Sequence, residues 1–134
     1  MDYQDLNSGI RIFGEREPMM KAVQLYVKVL GHEQPFLALG PHKSFHGTIL
    51  KDFLNIEGIP YAFELGESDF PRRKGKLYRA VGFSYVCTFH LDKNVLVLSG
   101  ESEAYHKRTH IRHARDLHRR LPDFRIVSPH VSHE

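Results

Sequence analysis

The stretch Val23-Gln24-Leu25-Tyr26-Val27-Lys28-Val29 places an aliphatic residue at every second position. Side chains alternate across a strand, so this segment reads as a strand with one buried face, and that face requires a layer to cover it. The next periodic segment supplies one. From Phe45, apolar residues recur at three- and four-residue spacing through Ile49, Phe53 and Ile56, joined by Leu50 and Leu54, the pattern of a helix with one stripe against a core. Ser44 stands where it can cap that helix, and Asn55 to Gly58 ends it.

The remaining segments follow from the same two periods. Residues 1–20 read as an N-terminal arm with a short strand at Ile10 to Phe13. Gly31 to Lys43 carries Pro35, Gly40 and Pro41, which interrupt regular structure. Tyr61, Phe63 and Leu65 alternate as a further strand, ahead of the polar loop GESDFPRRKGK. Leu77 to Leu91 is rich in aromatic and β-branched residues and reads as one bent strand or two short ones, with Gly82 as a bulge. Asp92-Lys93-Asn94 turns the chain into Val95 to Leu98, giving a hairpin. After a loop from Ser99 to about Tyr105, Ile111, Ala114, Leu117 and Leu121 mark a helix that runs through Arg120 and stops before Pro122, and Phe124 to Val127 is a last strand. The expected class is α/β in the α+β sense: a mixed sheet of about six strands with two main helices packed on it.

With 134 residues, 41% hydrophobic and 26% charged, the chain is long and apolar enough to form a single domain over residues 1–134 around its own core. Cys87 is the sole cysteine, so no intrachain disulfide can form, and its strand neighbours predict a small buried hydrophobe rather than a nucleophile. The N-terminus has no basic stretch followed by an apolar one, and no apolar run reaches the roughly 20 residues that span a bilayer. A reducing, cytoplasmic setting is expected, without a membrane partner.

Formal net charge is only +3, yet Lys107, Arg108, Arg112, Arg115, Arg119 and Arg120 are opposed locally by Asp116 alone. Such a region concentrates anions: phosphate esters, acidic proteins or nucleic acid. Arg108, Arg112, Arg115 and Arg119 repeat at helical spacing, which makes a non-catalytic phosphate- or nucleic-acid-binding module the rival reading. Single-strand binders usually add exposed aromatics for stacking, and this helix has none.

Several residues carry possible chemistry. His46 opens the first helix after a loop with His42 and Lys43; helix N-terminal amides attract anions and disfavour the imidazolium, so a neutral base or nucleophile beside a phosphate is reasonable there. The loop Ser99-Gly100-Glu101-Ser102-Glu103-Ala104-Tyr105 lies between a strand and a helix, where small residues let backbone N–H groups converge on an anion. It lacks the GK[ST] of a Walker motif. His106, His110 and His113 fall on one side of a helix, but no H-E-x-x-H signature is present, so no metal or other cofactor is assigned.

Three stretches in order, SFHGTILKDFLNIEGI, DKNVLVLSGESEAY and RRLPDFRIV, resemble the Janus/Ocnus family of phosphohistidine phosphatases. The similarity covers residues 44–127 and a first strand at Val23 to Val29. The resemblance implies a phosphohistidine phosphatase-like fold and metal-independent removal of phosphate from phosphohistidine or phospholysine in a phosphorylated protein or small substrate. In it His46 would be the catalytic residue, as nucleophile or as base, while Ser102, Glu103 and Ala104 would supply donors to the phosphoryl oxygens. The family's phosphate-binding lysine falls on Val23 in the simplest alignment, with Lys21 two residues earlier on the same face. Its upstream arginine is replaced by the apolar stretch Phe36-Leu37-Ala38-Leu39, so Lys43, Arg79 or Arg108 would have to provide that charge.

Overall fold

The computed structural model describes residues 3–62, 72–73, 77–90, 93–102 and 107–128. The chain is mixed α+β. Its strands are β1 (Tyr3–Leu6), β2 (Ile10–Phe13), β3 (Met19–Val29), β4 (His32–Pro41), β5 (Tyr61–Ala62), β6 (Arg72–Arg73), β7 (Tyr78–His90), β8 (Val95–Ser99), β9 (Glu101–Ser102), β10 (Lys107–Arg108) and β11 (Arg125–Val127). Its helices are α1 (His46–Glu57) and α2 (Ile111–Arg120). Seven strands form one mixed sheet in the order β1-β2-β4-β3-β7-β8-β11, parallel at β2/β4 and β8/β11 and antiparallel elsewhere. Two small ribbons, β5 with β6 and β9 with β10, stand apart from it in the pairing.

The alternation in β3 sorts the core into two layers. Val23, Leu25 and Val27 face α1, where they pack with Ile49, Leu50, Phe53, Leu54 and Phe83. Met20 and Ala22 face the other way and pack with Leu37, Leu39, Cys87, Leu96, Leu98 and, from α2, Leu117 and Leu121. The sheet therefore carries one helix on each face. Cys87 is fully buried, which pushes its thiol pKa up and leaves it protonated.

One expectation fails because neighbouring strands override local breakers. His32 to Pro41, expected to be irregular, is a ten-residue central strand. Pro35 fits because its ring nitrogen points away from β3: Leu37, two residues on, donates its N–H toward the β2 side, to the Gly9 carbonyl. Position 35 faces the same way, and β2 pairs with β4 only from Leu37 onward, so no ladder bond is lost. The outward Pro35 carbonyl accepts instead from Arg120 Nη1 at 2.6 Å. Within the expected N-terminal arm, the strand anticipated at Ile10 to Phe13 is present as β2, and β1 is added beside it. β1 and β2 form a hairpin on the sheet edge, Ile10 and Ile12 are fully buried, and Arg11 bridges Asp5 and Glu57 at 2.7 and 2.9 Å.

The expected strand at Tyr61 is a two-residue ribbon in its described part; Phe63 and Leu65 lie outside the described residues. α2 begins at Ile111, later than expected, because Lys107 and Arg108 are drawn into pairing with Glu101 and Ser102. The bulge anticipated at Gly82 is present as a register shift opposite Gln24 and Leu25. Among the described residues, no helix is long and apolar enough to cross a membrane.

Candidate functional site

α1 begins where β4 ends, and its first residue, His46, is brought against β7. The imidazole is only 4% exposed and stacks on Phe83 with ring centroids 5.3 Å apart. Its Nε2 lies 2.9 Å from the Ser84 carbonyl. A carbonyl only accepts, so Nε2 carries the hydrogen and Nδ1 keeps the lone pair. Burial lowers the His46 pKa; the Ser84 carbonyl opposes that, and the charges of Lys21 and His42 reinforce it. The result is a neutral imidazole in a fixed tautomer with a basic nitrogen to spare.

The sequence suggests Ser44 as the cap of this helix, but the N-cap is Phe45, which provides no side-chain hydrogen bond. Among the described residues no side chain therefore caps the amides of His46 and Gly47, in the position where helix N-termini hold anions. The Ser44 carbonyl has another use, accepting from Lys21 Nζ at 2.8 Å. Lys21 reaches this point from β3, on the face it shares with Val23. Its ammonium sits 6.0 Å from the Phe45 ring centroid and 5.3 Å from that of Tyr85, and partial burial lowers its pKa.

Tyr85 and His42 complete the surroundings, and sequence reasoning assigned neither a role. They meet edge to face, ring centroids 4.6 Å apart. His42 Nε2 is buried and, among the described residues, has no hydrogen-bond partner. Gly100, at φ +76°, lies beneath Tyr85: a Cβ there would stand 2.8 Å from the Tyr85 Cβ. The chain thus leaves β8 toward the Ser102 loop directly beside the aromatic ring that flanks Lys21.

Of the residues singled out from sequence, Lys21 and His46 are therefore brought together. Lys43 is exposed in the turn before α1. Ser102 lies in β9; its side chain, Glu103 and Ala104 fall outside the described residues. Arg79 does not supply the charge considered for it, because it grips Glu33 at 2.7 and 3.2 Å and covers the Tyr26 ring, on the sheet face that carries α2. The Arg108 side chain is outside the described residues.

The histidine run dissolves into structural roles. His110 caps α2, its Nδ1 accepting from the His113 amide at 3.1 Å. His113 is fully buried: its Nε2 donates to the Leu25 carbonyl at 2.8 Å, while Nδ1 accepts from Gln24 Nε2 at 3.2 Å. Burial drives its pKa down to about 4, against the opposing Leu25 hydrogen bond. Gln24 also clamps the His110 backbone, accepting from its N–H at 2.7 Å and donating to its carbonyl at 2.9 Å. His106 lies outside the described residues, and among those described no group of three or more His, Cys, Asp or Glu could hold a metal. Arg112, Arg115 and Arg119 are exposed along α2, as the sequence suggests, with Arg119 loosely paired to Asp116 at 3.7 Å. No protein-family model matches the chain, and no curated protein matches it.

Proposed function

We propose that the chain is a metal-independent phosphatase of the phosphohistidine type, acting on phosphohistidine or phospholysine, with His46 as the catalytic residue and Lys21 as the phosphate-binding cation. The observation that carries this reading is the convergence of a lysine from β3 on a buried, neutral histidine at an uncapped helix start. Lys21 and the amides of His46 and Gly47 favour a phosphoryl group beside Nδ1. From there Nδ1 can act in two ways. It can attack phosphorus, forming an N–P bond as the substrate P–N bond breaks and the leaving nitrogen takes a proton from water; hydrolysis of the phosphoimidazole then completes turnover. Alternatively it accepts the proton of the water that attacks. Both routes need positioning and charge stabilisation rather than a metal. A phosphohistidine phosphatase-like fold accords with the mixed sheet and its two helices, and a cytoplasmic setting accords with a lone buried cysteine.

The rival reading, a phosphate- or nucleic-acid-binding module, draws on the exposed Arg112, Arg115 and Arg119. Titration with inorganic phosphate, followed by amide resonances, separates the two. The phosphatase reading expects the largest movements at His46, Gly47 and the Lys21 strand. Movements confined to α2 would overturn it in favour of the rival.

A further inference from the structure

β11 is the last strand of the main sheet, and among the described residues no strand lies beyond it. Its outer edge still has backbone groups to offer. The Arg125 N–H donates to the Asn94 carbonyl at 2.9 Å, so Arg125 and, two residues on, Val127 turn their backbone groups toward β8. Ile126, between them, turns its N–H and carbonyl outward. Alongside that edge, α2 and β11 enclose a groove of about 340 Å³. Ile111, Ala114, Ile126 and Val127 give it an apolar wall, and all but Ala114 are only half-buried. His118 Nδ1 donates across to the Phe124 carbonyl at 2.7 Å, just before β11, and holds the two sides together.

Charge decides what fits there. Arg115 and Arg125 border the groove, and among the described residues no Asp or Glu does. Both arginines are exposed, and neither makes a side-chain hydrogen bond or ion pair among the described residues. A second copy pairing edge to edge through β11 would set these cations against their own kind, whereas an acidic strand would complement them. We infer that the β11 edge and its groove dock an extended acidic segment of a partner protein. The segment adds a strand at Ile126, lays apolar side chains between α2 and β11, and brings carboxylates to Arg115 and Arg125. The site lies on the sheet face that carries α2, opposite the α1 face where His46 stacks on Phe83, and stands independently of the phosphatase reading.

The test is binding of a fluorescein-labelled peptide, Glu-Val-Glu-Val-Glu, against a control with Lys for every Glu, together with hydrogen exchange at the Ile126 amide. The acidic peptide should bind, the control should not, and saturation should slow exchange at Ile126. Arg115→Glu and Arg125→Glu should each weaken binding by about twofold to fivefold, as exposed ion pairs do. Both residues are exposed, so the fold persists, which the unfolding midpoint checks. Arg112→Glu, off the groove, should weaken binding less than either. No binding of the acidic peptide, or equal losses in all three variants, would overturn the inference. So would tighter binding of an oligothymidylate through the same arginines, which makes nucleic acid the occupant. Protection of Ile126 that grows with protein concentration in the absence of peptide would likewise overturn it, in favour of a second copy.

Discussion

Acidification should weaken the native state through His113, and the size of the effect follows from its surroundings. The imidazole is fully buried, donates to the Leu25 carbonyl and accepts from Gln24, so it must remain neutral in the fold. Its ordinary pKa of 6.5 is lowered to about 4. The sign is set by which state binds the proton. Above pH 6.5 neither state is protonated and the full stability is present. As pH falls toward 4 the unfolded chain takes up a proton that the native state excludes, so stability is lost through this window. At about 1.4 kcal/mol per pH unit the loss reaches about 3 kcal/mol, a large share of the 5–15 kcal/mol typical of domains. Other groups titrate in the same range, His46 in the same direction, so the assay compares slopes. Urea unfolding of wild type and His113→Gln should be measured at intervals between about pH 7.5 and 4. The variant, whose amide can donate and accept but cannot titrate, should show the shallower decline, by up to about 1.4 kcal/mol per pH unit. Parallel curves would refute the reasoning and mean that His113 protonates in the fold at little cost.

Other outcomes follow from the same geometry. Gln24→Leu removes the hydrogen bonds that Gln24 makes to the His110 N–H, the His110 carbonyl and His113 Nδ1, and should cost about 3 kcal/mol, with faster hydrogen exchange at the start of α2. Gly40→Ala would set a Cβ 2.5 Å from Ile49 Cγ1, forcing α1 off the sheet at a cost of about 1–3 kcal/mol in urea unfolding. Lys21→Met should weaken phosphate binding by about tenfold to a hundredfold while shifting stability by less than about 1 kcal/mol, since a charge-assisted contact is lost from a partly exposed site. Calorimetric phosphate titration together with urea unfolding checks both parts.

Legibility from sequence tracks how local the cause is. The alternation at Val23 to Val29, the stripe from Ile49 to Ile56, the turn at Asn94 and the stop before Pro122 are local patterns, and each element is present. β4 was hidden because Pro35 and Gly40 read as breakers, whereas each has a tertiary reason. Pro35 faces a position that β2 has not reached, and Gly40 makes room for Ile49. Phe45 fitted the apolar stripe by spacing, but helix geometry alone does not show that the stripe begins one turn later.

At the site, His46 was legible because a histidine at a helix start has chemical meaning by itself. Lys21 was suggested by resemblance to the Janus/Ocnus family; its approach to Ser44 arises from the packing of β3 beside the β4–α1 turn. Tyr85 and His42 carried no signal, since only the pairing of β7 with β3 brings them alongside. The histidine run misled in the opposite sense, because helical spacing cannot tell a ligand from a cap or a buried hydrogen-bonding group.

The central claim is most directly tested by hydrolysis of phosphorylated histidine, with EDTA present, by wild type and His46→Asn. The account expects turnover by wild type and a loss of at least about a hundredfold in the variant, as befits a nucleophile or general base. Undiminished turnover by His46→Asn, or none by wild type, would contradict it.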